Sequence, residues 1–588
     1  MPKYNWVPRE STIQGDLPEY SVGRIPQWYP RLVTEMPEIA ELCARRSDYI
    51  LPHMTTAHGI TDNDFEKTYA SGVTLIQQSI DIKQPIVVAL DYDCDGQTAG
   101  ACMVYVLRRA GAEVYWTVPN RLEQGYGLNV DLIHKTVSDN HLDKVLVVTV
   151  DNGITCVDEV KQLRDEGHMV LITDHHLQEG ELPAADAIVN PKITMLESDA
   201  EYMVPGVYVA AKTALQAAKK YVDATTYAKL VDYCNQLVAL GIVSDIIDLN
   251  ELIRDQLLIG LSALHATNHA GIKCLFDICR VRDNQNITSN FLAFSVVPKL
   301  NAAGRMGAPE KGVELLLATG ENENDNTTIL LMANALKFLN SDRKIIEEKI
   351  YQEALTQIPE LEAKYKNTLV LYHEGWHAGV LGIIAARIAE AYAKPTLVLT
   401  KTPREIEGSG RSVEGYDLFT SLQQCDTLTS FGGHMVAAGV HLTEDKIEAF
   451  REQFDKVVTE IGLPTELKIE VDAEVTIPLL NDVRWQIFLE TFEPHGPRNP
   501  ELIFCLRKVE VYNIEPKRST INVVLHDANG YLMQASKYHY PEEWLNYKGQ
   551  LVDVLLSPNP LYFSTLTSME YRLVDIRPYA PLTKDITV

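Results

Sequence analysis

The segment Ile86-Val-Val-Ala-Leu90-Asp91-Tyr92-Asp93-Cys94-Asp95-Gly96 decides the fold, because a short apolar run ends directly in three carboxylates. A β-branched run of this length predicts a strand that is buried on both faces. Residues 98–109 then have the spacing of a helix. A strand that leads straight into a helix begins a right-handed βαβ unit, so the sequence predicts a parallel sheet.

The same arrangement of strand and acidic motif recurs further along the chain. Residues 145–150 predict a strand that ends at Asp151-Asn152-Gly153, and a helix follows near 157–166. Residues 170–173 predict a strand that ends at Asp174-His175-His176, and a fourth motif is Gly241-Ile-Val-Ser-Asp245. Open parallel sheets bind ligands beyond the carboxyl ends of their strands, so we expect the first three motifs to share one edge.

The residue types in these motifs favour a particular kind of metal ion. Carboxylate oxygens with one or two imidazoles suit Mn²⁺ or Mg²⁺, whereas zinc sites favour thiolates or several histidines. Two such ions about 4 Å apart can activate a water molecule and stabilise the leaving oxygen of a phosphate ester. An aspartate before a glycine is common turn chemistry when it occurs alone. The joint occurrence of four motifs in this order favours a functional site.

At 588 residues the chain exceeds a single hydrophobic core, which stops growing at roughly 250 to 300 residues. Apolar residues between 321 and 366 recur at spacings of three and four and predict a long connecting helix. Strands at 368–372 and 396–400, with a helix over 380–393, predict a second, smaller α/β unit. Beyond about residue 468, β-rich segments and the Asn529-Gly530 turn predict a small barrel.

The composition is that of an ordinary globular protein, with 46% hydrophobic and 23% charged residues. A net charge of −27 is a mild caution against a nucleic-acid ligand, although cations can still be concentrated in one groove. The nine cysteines contain no Cys-x-x-Cys pair, which favours reduced thiols in a cytoplasm. The sequence indicates neither a signal peptide nor a membrane span.

The four acidic motifs, taken in order, resemble those of the DHH phosphoesterase superfamily. Their full residue patterns are similar to those of the RecJ family of single-stranded-DNA exonucleases. Further similar stretches are Lys299-Leu-Asn301-Ala-Ala-Gly304-Arg305, Gly375-Trp-His-Ala-Gly-Val-Leu-Gly382, Gly408-Ser409-Gly410-Arg411-Ser412, Phe431-Gly432-Gly433-His434 and Glu493-Pro-His-Gly496-Pro-Arg-Asn499. The resemblance covers roughly residues 85 to 580.

The resemblance implies an α/β multidomain protein with a C-terminal OB-like β-barrel. We expect a weakly matched N-terminal region at 1–84, a parallel-sheet DHH catalytic domain at 85–320, a connecting helix at 321–367, a smaller α/β DHHA1 domain at 368–465 and the OB-like domain at 466–588. One departure from the family pattern is Pro497-Arg498, which replaces the more usual glycine before Asn499.

The resemblance also implies roles for individual residues around two Mn²⁺ or Mg²⁺ ions. The expected metal ligands are Asp91, Asp93, Asp151, His175 and Asp245, with Asp151 best placed to bridge the ions. Asp95 and Asp174 are expected to orient the ligands. His176 is expected to donate to a phosphate oxygen as charge develops, although a histidine beside a ligand is often only structural.

A second group of residues matches positions that hold the terminal 5′-phosphate in this family. Arg305, Ser409 and Arg411 are the central members, because a guanidinium fork meets phosphate oxygens at two points. The expected substrate-binding set is completed by Asn301, Ser412, Gly433 and His434. Aromatic side chains of the barrel are expected to be mostly buried, with a few exposed rings available for stacking on bases.

The resemblance implies a 5′-to-3′ exonuclease that releases 5′-mononucleotides from single-stranded DNA in repair or recombination. We expect a cytoplasmic monomer that works without a membrane and receives substrate from a single-strand binding protein or a helicase. One alternative is a phosphodiesterase of short oligonucleotides or cyclic dinucleotides, against which the barrel and connecting helix count. A non-catalytic replication scaffold is the other alternative, and retention of all five expected ligands counts against it.

Overall fold

The structure is a computed structural model. It describes residues 5–9, 36, 42, 45–46 and 68–580, except 179, 280–286, 321–325, 404, 465–467, 518–519, 539 and 564–565. Most of the expected N-terminal region 1–84 therefore lies outside the described residues. No helix in the described part of the chain combines the length and apolarity that a membrane span requires.

The first domain is built on a five-stranded parallel sheet, as the sequence predicts. The strands, in spatial order, are Val114–Thr117, Ile86–Leu90, Leu146–Val150, Met169–Thr173 and Ala187–Val189. The two strands that precede the first two acidic motifs are neighbours and are buried along their whole length. Asp91 and Asp151 therefore leave the sheet side by side.

Helices cover the sheet and extend the domain beyond it. They are Ala70–Asp81, Cys94–Arg109, Val130–Asp139, Val157–Asp165, Pro191–Thr194, Gly206–Ala218, Ala224–Ser244, Glu251–His265, Ala270–Ile278, Ser289–Phe291, Val297–Arg305 and Glu310–Leu317. The helix Cys94–Arg109 begins earlier than the predicted residue 98, because the side chain of Asp93 accepts a hydrogen bond from the amide of Gly96 and caps the helix. Asp95 is thereby carried into the first helical turn.

A helix of 39 residues, Asn326–Lys364, connects the two α/β units and confirms the predicted connector. Its predicted apolar face is the packed one, since Ile329, Leu336 and Ile350 are buried. The second unit has a sheet ordered Ser430–His434, Ala437–Leu442, Ile406–Arg411, Thr396–Lys401 and Leu369–Tyr372, of which only the last pair is parallel. Its helices are Leu381–Tyr392, Leu418–Leu422 and Ile447–Ile461.

The C-terminal strands close into a five-stranded barrel. Around the barrel the order is Phe504–Lys517, Thr520–His526, Leu532–Tyr538, Leu566–Pro578 and Leu551–Phe563, and the last strand pairs with the first. Two short helices, Ile477–Leu480 and Val483–Leu489, precede it. The predicted Asn529-Gly530 turn joins the second and third strands, and Gly530 has φ 84°.

An N-terminal strand joins the barrel region to the start of the chain. Asn5–Pro8 pairs in parallel with Lys468–Val471, and the buried carboxylate of Asp472 accepts from Arg9 and Arg46 at 2.7 Å. These contacts cross more than 400 residues of sequence, so no local pattern predicts them.

Two details of the barrel region concern expectations drawn from the sequence, one about aromatic side chains and one about the residue before Asn499. Trp544 is buried, whereas Tyr512, Tyr531 and Tyr538 are more than half exposed, so the barrel has both the buried and the exposed aromatic rings that the sequence predicts. Tyr512 and Tyr538 lie on strands of a small barrel whose outward face meets solvent, and Tyr531 directly precedes one of these strands. Arg498 has φ 64°, a conformation that favours glycine, which accounts for the glycine usual at this position.

Candidate metal and phosphate site

The predicted acidic residues converge at the carboxyl edge of the first sheet. Three sets of ligand atoms each lie within 4.8 Å of one another, and they share members. The sets are Asp91, Asp93 and Asp151; Asp95, His175 and Asp245; and Asp151, His175 and His176. Asp245 reaches the cluster from the end of the helix Ala224–Ser244. The structure thus brings together all five residues expected to bind metal.

Several ligand atoms in this cluster have no hydrogen-bond partner among the described residues. They are Oδ1 of Asp91, Oδ1 of Asp151 and Nε2 of His175, all buried. His175 Nε2 lies 3.0 Å from Asp151 Oδ1, 3.7 Å from Asp245 Oδ2 and 3.9 Å from Asp95 Oδ2. Buried carboxylates that face one another without donors are the arrangement that divalent cations stabilise.

The carboxyl groups of the cluster are buried close together and repel one another. Burial first, and then repulsion by Asp93, raises the pKa of Asp91 well above its usual range, and burial with the charge of Asp95 does the same to Asp151. Burial and the charge of Asp93 raise the pKa of Asp245 to about 7. A bound cation would offset each of these shifts, because it favours the charged form of a nearby carboxyl group.

His175 is held ready to act as a ligand. Its Nδ1 lies 2.9 Å from the carbonyl oxygen of Val204, and since a carbonyl can only accept, Nδ1 carries the proton. The Nε2 lone pair therefore points toward Asp151. Burial, together with the charge of His176, lowers the pKa of His175 to about 3, so the ring is neutral at physiological pH.

Two carboxylates are occupied by hydrogen bonds from the protein. Asp95 accepts from the amides of Gly206 at 2.6 Å and Val207 at 3.1 Å. Asp174 accepts from the amides of Ile154, His175 and His176 at 2.7 to 3.1 Å. Such saturation fits the orienting role expected for both residues.

His176 is a charged donor at the mouth of the cluster. Its Nδ1 donates to Asp174 Oδ1 at 2.8 Å, while its side chain is 44% exposed. Burial lowers the pKa of His176, but the hydrogen bond and charge of Asp174 outweigh that effect and raise it to about 9. An imidazolium that is fixed on one side and open on the other can donate to a bound anion.

Arg305 lies close enough to the acidic cluster to feel the charge of Asp93, and it shares a region of positive charge with Arg121, Arg343 and Arg411. Burial, and then the charges of Arg121, Arg343 and Arg411, lower the pKa of Arg305 to about 10. Burial and the charge of Arg121 also lower the pKa of Arg411. Neighbouring guanidiniums repel one another unless an anion lies between them, so this group is suited to a phosphate.

The two α/β domains meet at this basic group. Arg305 donates to the carbonyl of Gly379 at 3.2 Å, and Arg411 donates to Ser409 Oγ at 3.2 Å and to the Gly410 carbonyl at 2.8 Å. A Cβ at Gly382 would lie 2.8 Å from Ser409 Oγ and 2.9 Å from Arg411 Nη2. The glycine therefore leaves room for these side chains.

The other predicted substrate residues lie nearby but differ in what they contact. Ser412 donates its hydroxyl to the Tyr416 carbonyl at 2.6 Å, and Asn301 accepts from the amide of Cys94 at 2.8 Å, which supports the first acidic loop. His434 lines the same cavity as Arg411, and Gly433 has φ 140° in the adjoining hairpin. Arg121 and Arg343 belong to none of the sequence motifs, so the sequence does not predict that they lie in this basic group.

An acidic sheet edge beside a group of arginines, at the contact between two α/β domains, is the arrangement expected of a two-domain phosphoesterase, and the comparisons with known families agree. Residues 85–242 match the DHH family, N-terminal domain, and residues 365–460 match the DHHA1 domain.

The relatives narrow the class to one family. The chain is 35% identical to the single-stranded-DNA-specific exonuclease RecJ of Escherichia coli (strain K12), over 71% of this chain and 74% of that protein. It is 34% identical to the RecJ of Dickeya dadantii, over 84% of this chain and 85% of that protein. The crystal structure of RecJ in complex with Mn²⁺ from Thermus thermophilus has the same fold, with a TM-score of 0.73 and 24% identity over 93% of this chain and 76% of that chain. The chain belongs to the RecJ family.

Proposed function

We propose that this protein is a metal-dependent exonuclease that hydrolyses single-stranded DNA from the 5′ end and releases 5′-mononucleotides. The observation that carries the proposal is that a group of acidic metal-ligand residues lies beside a group of arginines. Ligand atoms of Asp91, Asp151 and His175 are buried without hydrogen-bond partners among the described residues. The Arg305 guanidinium interacts both with Asp93 of this acidic group and with Arg411 of the second α/β domain. The similar proteins named as single-stranded-DNA-specific exonucleases support the substrate.

The proposed metal ligands are Asp91, Asp93, Asp151, His175 and Asp245, which fit two Mn²⁺ or Mg²⁺ ions. Bound cations of this kind lower the pKa of a water nucleophile and neutralise the leaving oxygen. Asp151 belongs to two of the three ligand sets and is the proposed bridge. Asp95 and Asp174 keep the cluster in place through the amides of Gly206 and Ile154.

His176 supplies the proposed contact to the reacting phosphate. The imidazolium is anchored by Asp174 and faces the charges of Asp245 and Asp91. As negative charge develops on a non-bridging oxygen, a fixed donor in this position strengthens its hydrogen bond. The proton stays on the ring, since the transfer of a proton is not required of a group that only stabilises the charge.

The polarity of degradation follows in this proposal from the basic group. If Arg305, Ser409 and Arg411 hold a terminal 5′-phosphate, then the distance to the acidic cluster selects the bond that reacts. Only the first nucleotide then fits between them. The division of the chain at residues 85, 321, 368 and 466 belongs to the same proposal, because the cleft lies between the proposed catalytic and DHHA1 domains.

The test uses a single strand labelled at either end and incubated with Mn²⁺ or Mg²⁺. We expect the 5′ label to leave as a mononucleotide at once, the 3′-labelled strand to shorten progressively, and duplex DNA to be spared. Asp151→Asn should abolish the reaction with the fold intact, because the amide is isosteric. Asp186→Asn is the matched control, since Asp186 lies at the opposite edge of the same sheet and binds Arg164.

Shortening from the 3′ end would refute the polarity alone. Activity of Asp151→Asn within tenfold of the wild type would refute the metal assignment. Degradation of cyclic dinucleotides or very short oligonucleotides in preference to long strands would favour a different phosphodiesterase function.

A further inference from the structure

The helix Ala224–Ser244 ends beside the acidic cluster in a conformation that its sequence does not favour. Asp245 is the C-cap, Ile246 has φ 53°, and the amide of Ile247 donates to the carbonyl of Ile242 at 3.2 Å. This is a Schellman ending, in which the left-handed residue after the cap is usually glycine. A β-branched residue is an outlier there, because its Cβ crowds the following carbonyl.

Packing within the protein does not account for the Ile246 side chain. It is 71% exposed, whereas the next residue, Ile247, is 6% exposed and belongs to the hydrophobic core. An exposed isoleucine adds little burial, so glycine at this position would make the fold more stable. Strain of this kind often coincides with a role in binding.

The surroundings of Ile246 indicate what that role is. It lines a cavity of about 710 Å³ between the two α/β domains. Asp245 lies on one side of it, and Arg411 and His434 line the same cavity on the proposed phosphate side. Val436, which is 51% exposed at the turn of the Ser430–His434 hairpin, contributes a second apolar group from the opposite domain. The cavity thus combines apolar side chains with charged ones, and the charged lining also includes Glu390 and Glu414.

We propose that Ile246 packs against the deoxyribose of the 5′-terminal nucleotide and makes this site selective for DNA over RNA. The inference rests on the proposed function, because it places that nucleotide between the phosphate-binding arginines and the metal ligands. In a terminal nucleotide the sugar lies between the 5′-phosphate and the next phosphate of the strand. The deoxyribose is less polar than these phosphates, and it fits the apolar walls of the cavity at Ile246 and Val436.

Selectivity follows from desolvation of the ribose hydroxyl. A 2′-hydroxyl pressed against an isoleucine loses hydrogen bonds to water and gains none, whereas a deoxyribose carbon loses nothing polar. An apolar wall discriminates by up to about a hundredfold against an added hydroxyl, and the loss of several buried carbons weakens binding by roughly ten- to a hundredfold. The informative quantity is therefore the ratio of kcat/KM for a deoxyribose end to kcat/KM for a ribose end.

Ile246→Gly is the test variant, and Lys83→Gly is its matched control. Lys83 has φ 59° and occupies the same left-handed position after the helix Ala70–Asp81, where the amide of Gln84 donates to the carbonyl of Ser79 at 2.8 Å. Both substitutions relieve the same backbone strain, but only Ile246 lines the cavity. Both variants should melt at least as high as the wild type, with rises of about 2 to 4 °C.

The substrates are two 5′-phosphorylated strands that differ only in a single ribonucleotide or deoxyribonucleotide at the 5′ end. Release of the first nucleotide is measured as kcat and KM for each. For Ile246→Gly we expect kcat/KM on the deoxy strand to fall about tenfold or more and the preference for the deoxy end to fall about tenfold. Lys83→Gly should keep both values, and Ile246→Val should keep most of the preference.

The outcomes separate the two proposals. If the wild type and Lys83→Gly do not degrade either strand, the proposed function is refuted, and this inference with it. If both degrade DNA and Ile246→Gly keeps the rate and the sugar preference within twofold, only the role of Ile246 is refuted. A parallel loss of rate on both strands with an unchanged ratio would also refute the selectivity.

Discussion

Asp245→Asn should change the stability of the protein in opposite directions with and without metal. In the metal-free protein, burial and the charge of Asp93 raise the pKa of Asp245 from 3.8 to about 7. At 1.36 kcal/mol per pH unit this displacement corresponds to about 4 kcal/mol of destabilisation above pH 7. The Asp245 side chain is 33% exposed, and water screens part of the effect, so about 1 to 2 kcal/mol is expected.

The pH dependence has a definite sign. Because the pKa of Asp245 is higher in the folded state, the destabilisation is complete above about pH 7 and disappears as the pH falls toward 4. Replacement of the carboxyl group by an amide removes it. Metal-free Asp245→Asn should therefore melt about 2 to 5 °C above the wild type at pH 8, and this difference should shrink at pH 5.5.

Saturating Mn²⁺ should reverse the order. A ligand present at a hundred times its dissociation constant stabilises the folded state by about 2.7 kcal/mol, and the variant should lose most of that gain. Thermal melts with EDTA and with Mn²⁺ at the two pH values make the comparison. Asp248→Asn is the control, because Asp248 binds Arg498 at 2.9 Å and should respond equally in both states. A variant that melts below the wild type in EDTA at pH 8, or that gains as much from Mn²⁺, would refute the reasoning.

Three further predictions concern single residues. His176→Gln should lower turnover by roughly a hundredfold or more, while calorimetry shows metal binding little changed. The wild-type rate should also decline as the pH rises through about 9, where the imidazolium loses its proton, and the variant should not show this decline. Arg411→Ala should slow cleavage by roughly ten- to a hundredfold and abolish the preference for a 5′-phosphate over a 5′-hydroxyl, and Arg411→Lys should keep that preference only in part. An unchanged preference in Arg411→Ala would show that Arg411 does not bind the 5′ end of the strand. Gly206→Ala should abolish metal binding measured by calorimetry, because the added Cβ would collide with the Asp151 carboxylate; normal binding would place that carboxylate elsewhere.

The sequence predicted those parts of the site that follow local rules. A β-branched strand such as Ile86–Leu90 and the acid that ends it are adjacent in the chain, and strand alternation with helices implies that such ends meet. The sequence pattern places the start of the next helix at residue 98, four residues later than the structure does. The earlier start depends on capping by the single side chain of Asp93.

Contacts across long stretches of sequence could not be predicted in the same way. The amide that satisfies Asp95 belongs to Gly206, 111 residues away, and the carbonyl that fixes the His175 tautomer belongs to Val204. Arg121 and Arg343 affect Arg305 only because a loop and the connecting helix approach it in the folded chain. No spacing rule relates such pairs, whereas the exposure of Tyr512 depends on which face of the barrel its strand presents.

The acidic composition of the chain counts against a nucleic-acid ligand, but the distribution of charge within the molecule explains how one could bind. A net charge of −27 opposes the approach of a polyanion at long range, but solvent ions screen such a field beyond about 10 Å. Within the cleft, Arg121, Arg343 and Arg411 act together on Arg305. The carboxylates near them repel one another until cations bind, and those cations add positive charge at the point where a phosphodiester would react. The acidic cluster therefore becomes a phosphate-binding surface only when metal is present, and weak binding of single-stranded DNA in EDTA is the expected consequence.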